Sequence, residues 1–305
     1  MIEKSFLNFF QHFFWFSFCQ RQSNHLVEND QFYHRFLDLS IKIEQLQAIT
    51  MLPPSINSKI EALKQIQLDL LTKEADFHKQ IYSLEVEFQK SLSGVFEERR
   101  RIVNGFEATE SQQQEVASDA NGIPEFWLTV FKRAPFLQDM LHEQDEPALK
   151  CLLDVRSISI NQPRSGFVLE FEFGPNDYFS NHTLTKRYEM ECVPDVEKLL
   201  SFDGFEIYDS TGCEINWKDG RNLTLATVDG TERSVDSFFN FFDPKKLLAK
   251  TDSATYKQFM EFDFEIGYYI KERVVPRAIL FFNGEFIDSE DTGEFQPQVA
   301  DGQKN

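Results

Sequence analysis

Between Pro54 and Asn104 the chain has no further proline and one glycine, Gly94. Apolar residues fall at Ile56, Ile60, Leu63, Leu70, Phe77, Ile81, Leu84, Phe88, Val95 and Ile102, in steps of four and three. Gln67 and Glu74 interrupt the row, and Leu92 slips it by one place. This is the heptad pattern of a helix whose apolar seam meets another helix. Ser58 and Glu61 form a capping-box pair near its start, and Asn104-Gly105 reads as its stop. A helix of about 50 residues is a rod of roughly 75 Å. One domain of this size does not cover such a seam, so the pattern predicts dimerisation through Ile56, Ile60, Leu63, Leu70, Phe77, Ile81, Leu84 and Phe88. The competing expectation is a helix broken at Gly94 and folded back on the body.

A polar stretch, residues 107–122, separates the seam from a different pattern. "IPEFWLTVFKR" (123–133) predicts a helix with Pro124 at its first position and an apolar face of Phe126, Trp127, Val130 and Phe131. "LHEQDEPALKCLLDV" (141–155) predicts another short helix with an acidic first turn. "GFVLEFEF" (166–173) then alternates, with Phe167, Leu169, Phe171 and Phe173 inward and Glu170 and Glu172 outward, the period of a half-exposed antiparallel strand. "TLTKRYEM" (183–190) and "CEINWK" (213–218) continue as strands, and "NLTLATVDGTERSV" (222–235) reads as a hairpin turning at Asp229-Gly230. One face of such a sheet has to be covered. "SFFNFFDP" (237–244) supplies the cover: a helix capped by Ser237 whose phenylalanines press on the sheet. "FMEFDFEIGYYIKERVVPRAILFFNGEFIDSEDTGEF" (259–295) closes the domain with a helix broken near Pro276, followed by an extended segment that ends in a modest acidic tail, Glu285 to Glu294. The fold class is α+β: a long dimerisation helix, then an α/β domain with a four-stranded antiparallel sheet covered by helices.

Charge changes the picture next. Of 50 acidic and 31 basic residues, 37 and 19 lie in residues 107–305, whereas residues 55–106 hold 8 of each. The helix is neutral and the sheet domain is strongly acidic. Such a field repels nucleic acid, attracts basic partners and keeps the chain soluble. Arg99, Arg100 and Arg101 sit where cations suit the end of a helix dipole. The 14-residue run "FLNFFQHFFWFSFC" (6–19) is too short to span a bilayer. It has the length of a signal-peptide core behind Lys4, with Ser17-Phe18-Cys19 as a possible cleavage site, and reads here as an atypical extension. Cys19, Cys151, Cys192 and Cys213 are widely spaced and six histidines are scattered, so neither a disulfide framework nor a metal site is expected. Asn181 and Asn222 head two sequons that chance explains. No phosphate loop, dinucleotide fingerprint, nucleophile elbow or zinc-protease motif occurs; neither an enzyme nor a cofactor is expected.

Taken in order, Leu52-Pro53 before the heptad helix, "ALKQIQ" (62–67), "IPEFWLTVFKR", "EQDEPALKCLLDV", "GFVLEFEFGPNDYFSNHTLTKRYEM", "TGCEINWKDGRNLTL", "SFFNFFDP" and "FEIGYYIKERVVPRAI" resemble the nucleosome assembly protein family of histone chaperones. The resemblance runs from about residue 40 to 290. It implies an antiparallel homodimer through the long helix and a concave acidic underside that holds core histones. No sequence-specific nucleic-acid contact and no membrane are implied, and residence is in nucleus and cytoplasm. It divides the chain into a Phe-rich extension (1–36), the dimerisation helix region (37–106), a polar linker (107–122), the acidic α/β domain (123–288) and a short tail (289–305). The histone contacts it points to are Glu143, Asp145 and Glu146, with Asp154, Glu285, Asp288, Glu290 and Asp291 beside them. Three departures stand out. The basic insertion before the Phe-rich helix shrinks to "ATVDGTERSV", the acidic segment after the long helix is reduced to residues 107–122, and most of the acidic C-terminal tail is missing. These departures motivate a second reading, a dimeric coiled-coil adaptor for other basic or regulatory proteins.

Overall fold

The structure, a computed structural model, describes residues 53–105, 122–195, 202–228, 230–243 and 253–285. The chain divides into two compact units, residues 1–74 with 194–202 and residues 75–193 with 203–305. The second carries the sheet. The 6–19 aromatic run, Cys19 and most of the polar linker lie outside the described residues.

Helix α1 (Pro54–Asn104) is continuous over 51 residues. It starts at Pro54, four residues before the expected box. Proline fits the first helical position because its missing N–H would have no partner there, and the N–H groups of Ile56 and Asn57 close the turn on the Pro53 carbonyl at 2.8 and 3.1 Å. The helix runs through Gly94, as the heptad reading has it, and the competing expectation of a break there fails. One interior glycine costs about 1 kcal/mol, which the flanking turns absorb. Gly105, at φ +68°, ends it in the left-handed conformation.

Four antiparallel strands form a meander in the order β1-β2-β3-β4: β1 (Leu152–Ile160), β2 (Ser165–Phe173), β3 (Thr183–Glu191) and β4 (Glu206–Gly212). The alternation expected of β2 holds, with Phe167, Leu169, Phe171 and Phe173 all buried. Two assignments change. The helix expected over 141–155 is only the short α4 (Glu146–Leu149), and the chain becomes β1 from Leu152. The reason is pairing: Val155 lies opposite Phe171 and Ser157 opposite Leu169, so the tail of that segment completes the sheet. The fourth strand is Glu206–Gly212, not "CEINWK", which forms only an isolated bridge between Trp217 and Phe179. Two shorter strands, β5 (Leu225–Val228) and β6 (Thr231–Ser234), make the expected hairpin.

One face of the sheet is closed by aromatic rings. α2 (Phe126–Arg133) begins two residues beyond Pro124, with Glu125 at φ +54° before it, and buries Phe126, Trp127, Val130 and Phe131. The short α3 (Pro135–Gln138) follows. Phe238–Phe242 is one turn of 3-10 helix rather than an α-helix, and Ser237 Oγ accepts the Phe239 N–H at its start. A single tight turn points Phe238, Phe239, Phe241 and Phe242 into the core together. Phe171 meets the rings of Phe238, Phe241 and Phe242 at 5.2–6.2 Å. Close approach demands glycine at Gly212, where a Cβ would stand 1.7 Å from the Phe242 carbonyl oxygen. α5 (Ser253–Tyr269) continues through a π turn over Ile270–Val274, breaks near Pro276, and resumes as α6 (Ala278–Asn283). The segment expected to be extended there is helical because Ala278 and Phe281 bury one face of it.

Inside this aromatic layer lies a buried ion pair. Lys186 on β3 and Asp263 on α5 meet at 2.8 Å with side-chain exposures of 0% and 5%. Lys186 Nζ also donates to the Phe241 carbonyl at 2.9 Å, Ser210 Oγ to the second Asp263 oxygen at 2.8 Å, and Tyr188 Oη to the Asp263 carbonyl at 2.8 Å. Burial pushes the Lys186 ammonium pKa down and the Asp263 carboxyl pKa up, and the pairing opposes both shifts. Four elements (β3, β4, the Phe turn and α5) therefore share one polar joint. Lys186→Met should cost about 3–5 kcal/mol in a denaturant titration because it strands a buried carboxylate. Adding Asp263→Leu to it should recover part of that loss.

Candidate functional site

α1 has two working faces. On one, Ala75, Tyr82, Val86 and Val103 are buried and Phe96 packs against the main core. Polar groups on this side fasten α1 to β1, the edge strand of the sheet. Tyr82 Oη donates to the Gly166 carbonyl, lies 3.2 Å from the Ile160 carbonyl and accepts the Gly166 N–H at 3.1 Å. Gln89 accepts from Ser159 at 2.6 Å, and Arg99 and Asn104 donate to the Val155 and Leu153 carbonyls at 3.2 and 3.1 Å. An uncovered strand edge invites pairing with other chains; here side chains of the helix occupy it. The three arginines are not a simple helix-end charge. Arg99 lies between the rings of Phe96 and Trp127, at 4.8 and 4.9 Å, with its guanidinium 3.5 Å from Asp154. Arg100 chelates Glu172, its Nε 2.8 Å from one carboxylate oxygen, and Arg101 pairs with Glu98.

The opposite face is apolar and, among the described residues, exposed. Leu84 is 66% exposed and Phe88 63%, and Ile56, Leu63, Leu70, Phe77 and Ile81 are exposed with them; Ile60 is half-buried. Each large side chain of this kind is worth about 1.5–3 kcal/mol when removed from water. Contiguous exposed apolar surface on this scale marks an interaction site. All eight positions expected for dimerisation thus sit on one helix, and Phe77, Ile81, Leu84 and Phe88 are exposed on the side away from the fastened one.

The expected acidic contacts separate into three kinds. Glu143 is exposed, Glu146 is half-buried with its carboxylate 2.7 Å from Lys132 Nζ, and Glu285 is exposed beyond α6. Asp145 and Asp154 are not at the surface at all. Asp145 is fully buried: one oxygen accepts the Ser237 hydroxyl at 2.6 Å and the other the Phe238 N–H at 2.7 Å, so it holds the start of the Phe turn. Asp154 is buried under Arg156, at 2.6 Å, and Arg99. Burial raises the pKa of both carboxyls against the lowering effect of these partners. Both corrections have one cause: a carboxylate beside an aromatic core is kept inside when it satisfies backbone or cationic donors. Asp288, Glu290 and Asp291 lie outside the described residues. The sequence reading also missed the fastened face of α1, whose signal was the second apolar row at Ala75, Tyr82, Val86, Phe96 and Val103.

Cys151, Cys192 and Cys213 are free thiols. Among the described residues no His, Cys, Asp and Glu group has the arrangement of a metal site, and no helix is long and apolar enough to cross a membrane.

A neutral helix presenting an apolar seam, fused to an acidic α+β domain with a four-stranded meander, defines the class. The profile of the nucleosome assembly protein (NAP) family matches residues 58–285, and the chain belongs to that family. It is similar to nucleosome assembly protein 1-like 1 of Mus musculus, 39% identical over 286 residues that span 80% of this chain and 73% of that one. Against nucleosome assembly protein 1-like 4 of Homo sapiens the identity is 37% over 295 residues, 81% of this chain and 78% of that one. Nucleosome assembly protein 1 from Plasmodium knowlesi superposes with a TM-score of 0.54 at 26% identity, covering 77% of this chain and 99% of that one.

The buried and exposed carboxylates should respond differently to substitution. Asp145→Ala strands the Ser237 hydroxyl and the Phe238 N–H and should lower unfolding free energy by about 1–3 kcal/mol. Glu143→Lys should change it by no more than about 0.5 kcal/mol. Urea titration of the two variants checks both.

Proposed function

We propose that this protein is a histone chaperone that works as an antiparallel homodimer, α1 of each copy covering the seam of the other. The observation that carries the reading is family membership over residues 58–285; the exposed seam and the acid excess of residues 107–305 are consistent with it. Histones hold DNA largely by neutralising phosphates. A protein that offers carboxylates to the same lysines and arginines competes with that attraction and keeps the histones from aggregating. No bond is made or broken, so the activity needs no catalytic group. Glu143, Glu146 and Glu285, with Asp288, Glu290 and Asp291, are the proposed contacts, and Asp145 and Asp154 serve the fold instead. The proposed division into a helix region (37–106), linker, acidic domain (123–288) and tail follows this use. Residence in both nucleus and cytoplasm accords with carrying histones between them.

The second reading, a dimeric adaptor without assembly activity, draws on acids that are already engaged: Glu172 with Arg100, Glu97 with Arg156, and Glu189 and Glu191 with Arg164. A plasmid-supercoiling assay separates the two, since only a chaperone deposits histones.

Binding of purified core histones should weaken steeply as salt rises, and the Glu143→Lys, Glu146→Lys double variant should bind several-fold more weakly. Absence of binding at near-physiological salt would remove the reading. Leu84→Glu with Phe88→Glu should convert a sedimenting dimer to monomer, with the circular-dichroism signature of the sheet domain retained.

A further inference from the structure

A seam says that α1 pairs; it does not say where along the helix the copies meet. That level is written in the polar interruptions. Gln67, Glu74, Ser91 and Glu98 occupy seam positions and all four are exposed. In an antiparallel pair the two kinds of seam position alternate, each meeting the other kind across the interface. A buried polar residue facing an apolar one loses water without gaining a partner, so the favoured register matches interruptions with interruptions.

We infer, resting on the homodimer proposed above, that the two-fold axis passes at the level of the Tyr82–Ser83 peptide. At that level Phe77 meets Phe88 of the second copy, Leu70 meets Val95, and Ile81 meets Leu84. The polar positions coincide as well, Gln67 with Glu98 and Glu74 with Ser91. From Leu63 to Ile102 no polar seam residue faces an apolar one.

The neighbouring registers fail this match. A slip of one heptad, about 10 Å between copies, toward the helix start sets Leu84 against Glu74 and Ile60 against Glu98. The opposite slip sets Ile81 against Ser91. A parallel pair stacks Glu74 on Glu74 and Glu98 on Glu98, which brings like charges together in a desolvating interface.

A second feature agrees with the inferred level. Val95 and Ile102 rim an open groove of about 620 Å³ whose far wall is Ile123, Phe126 and Ile279. Val95 is 62% exposed and Ile102 61%. The register lays Leu70 and Leu63 of the second copy over these two residues and so closes the mouth of the groove. It also carries Ile60 level with Gly105, where α1 ends and Ile123 N–H returns to the Val103 carbonyl at 2.7 Å.

Disulfide trapping in the full-length protein tests the register. Two double variants, Glu74→Cys with Ser91→Cys and Gln67→Cys with Ser91→Cys, are oxidised mildly and resolved on non-reducing gels. The single variants and the unaltered chain run beside them to account for Cys19, Cys151, Cys192 and Cys213, and sedimentation reports the oligomeric state of each. The expected result is a covalent dimer from Glu74→Cys/Ser91→Cys only. A covalent dimer from Gln67→Cys/Ser91→Cys instead, or from Glu74→Cys alone, overturns the register by showing the slipped or the parallel arrangement. Sedimentation as a dimer with no trapping at 74 and 91 also overturns the register while leaving the homodimer standing. Sedimentation of the unaltered chain as a monomer overturns both.

Discussion

The attachment of α1 to the β1 edge governs what the rest of the molecule can do. Tyr82, Gln89, Arg99 and Asn104 each bond to β1 or to the adjoining Gly166, and every one of these contacts uses the same side of the helix. A helix held this way cannot rotate to bury Phe77, Leu84 and Phe88 against its own domain without giving up the edge carbonyls. Their loss would leave buried polar groups without partners, a cost of about 1–3 kcal/mol each. The seam is therefore held outward by hydrogen bonding on the far side, and the same bonds protect the strand edge from adventitious pairing. One set of contacts blocks aggregation through the sheet and presents a different surface for association.

Acidity plays two distinct parts. Asp145, Asp154 and Asp263 lie inside the domain, where they organise the Phe turn, the arginines of α1 and the Lys186 joint. Glu143 and Glu285 lie outside, where their charge acts on solvent and on partners. Net charge counts both kinds alike, yet only the second contributes an unmasked field. The buried acids are valuable to an aromatic core for a specific reason. Phenylalanine rings pack without fixing direction strongly, whereas a carboxylate bonded to a hydroxyl, an ammonium or an N–H admits one geometry. The polar joints thus select one arrangement among many that would bury similar area.

Legibility followed locality. The heptad seam, the alternation of β2, the 229–230 turn and the glycine stop at residue 105 are short-range patterns, and each was readable because its cause lies within a few residues. Errors arose where a distant partner decided. "CLLDV" carries an adequate helical pattern, but β2 offers Val155 and Ser157 a neighbouring strand, so the chain extends. "CEINWK" alternates well and lacks a continuous partner; Glu206–Gly212 alternates less clearly and pairs with β3. Asp145 reads as one of three surface acids within four positions, and nothing local distinguishes it from Glu143. Its bonds to Ser237 and Phe238 cross more than ninety residues of sequence.

By itself, then, the sequence determined a long neutral helix with an apolar seam, an acidic sheet-bearing body, and the membership of its motifs in one family, because periodicity, composition and motif order survive without coordinates. Only the tertiary structure decided which acids face water, which edge strand the long helix covers, and which side of the helix is spent on that edge. Those outcomes depend on groups far apart in the chain competing for the same donors and the same buried space, and such competition leaves no periodic trace along the sequence.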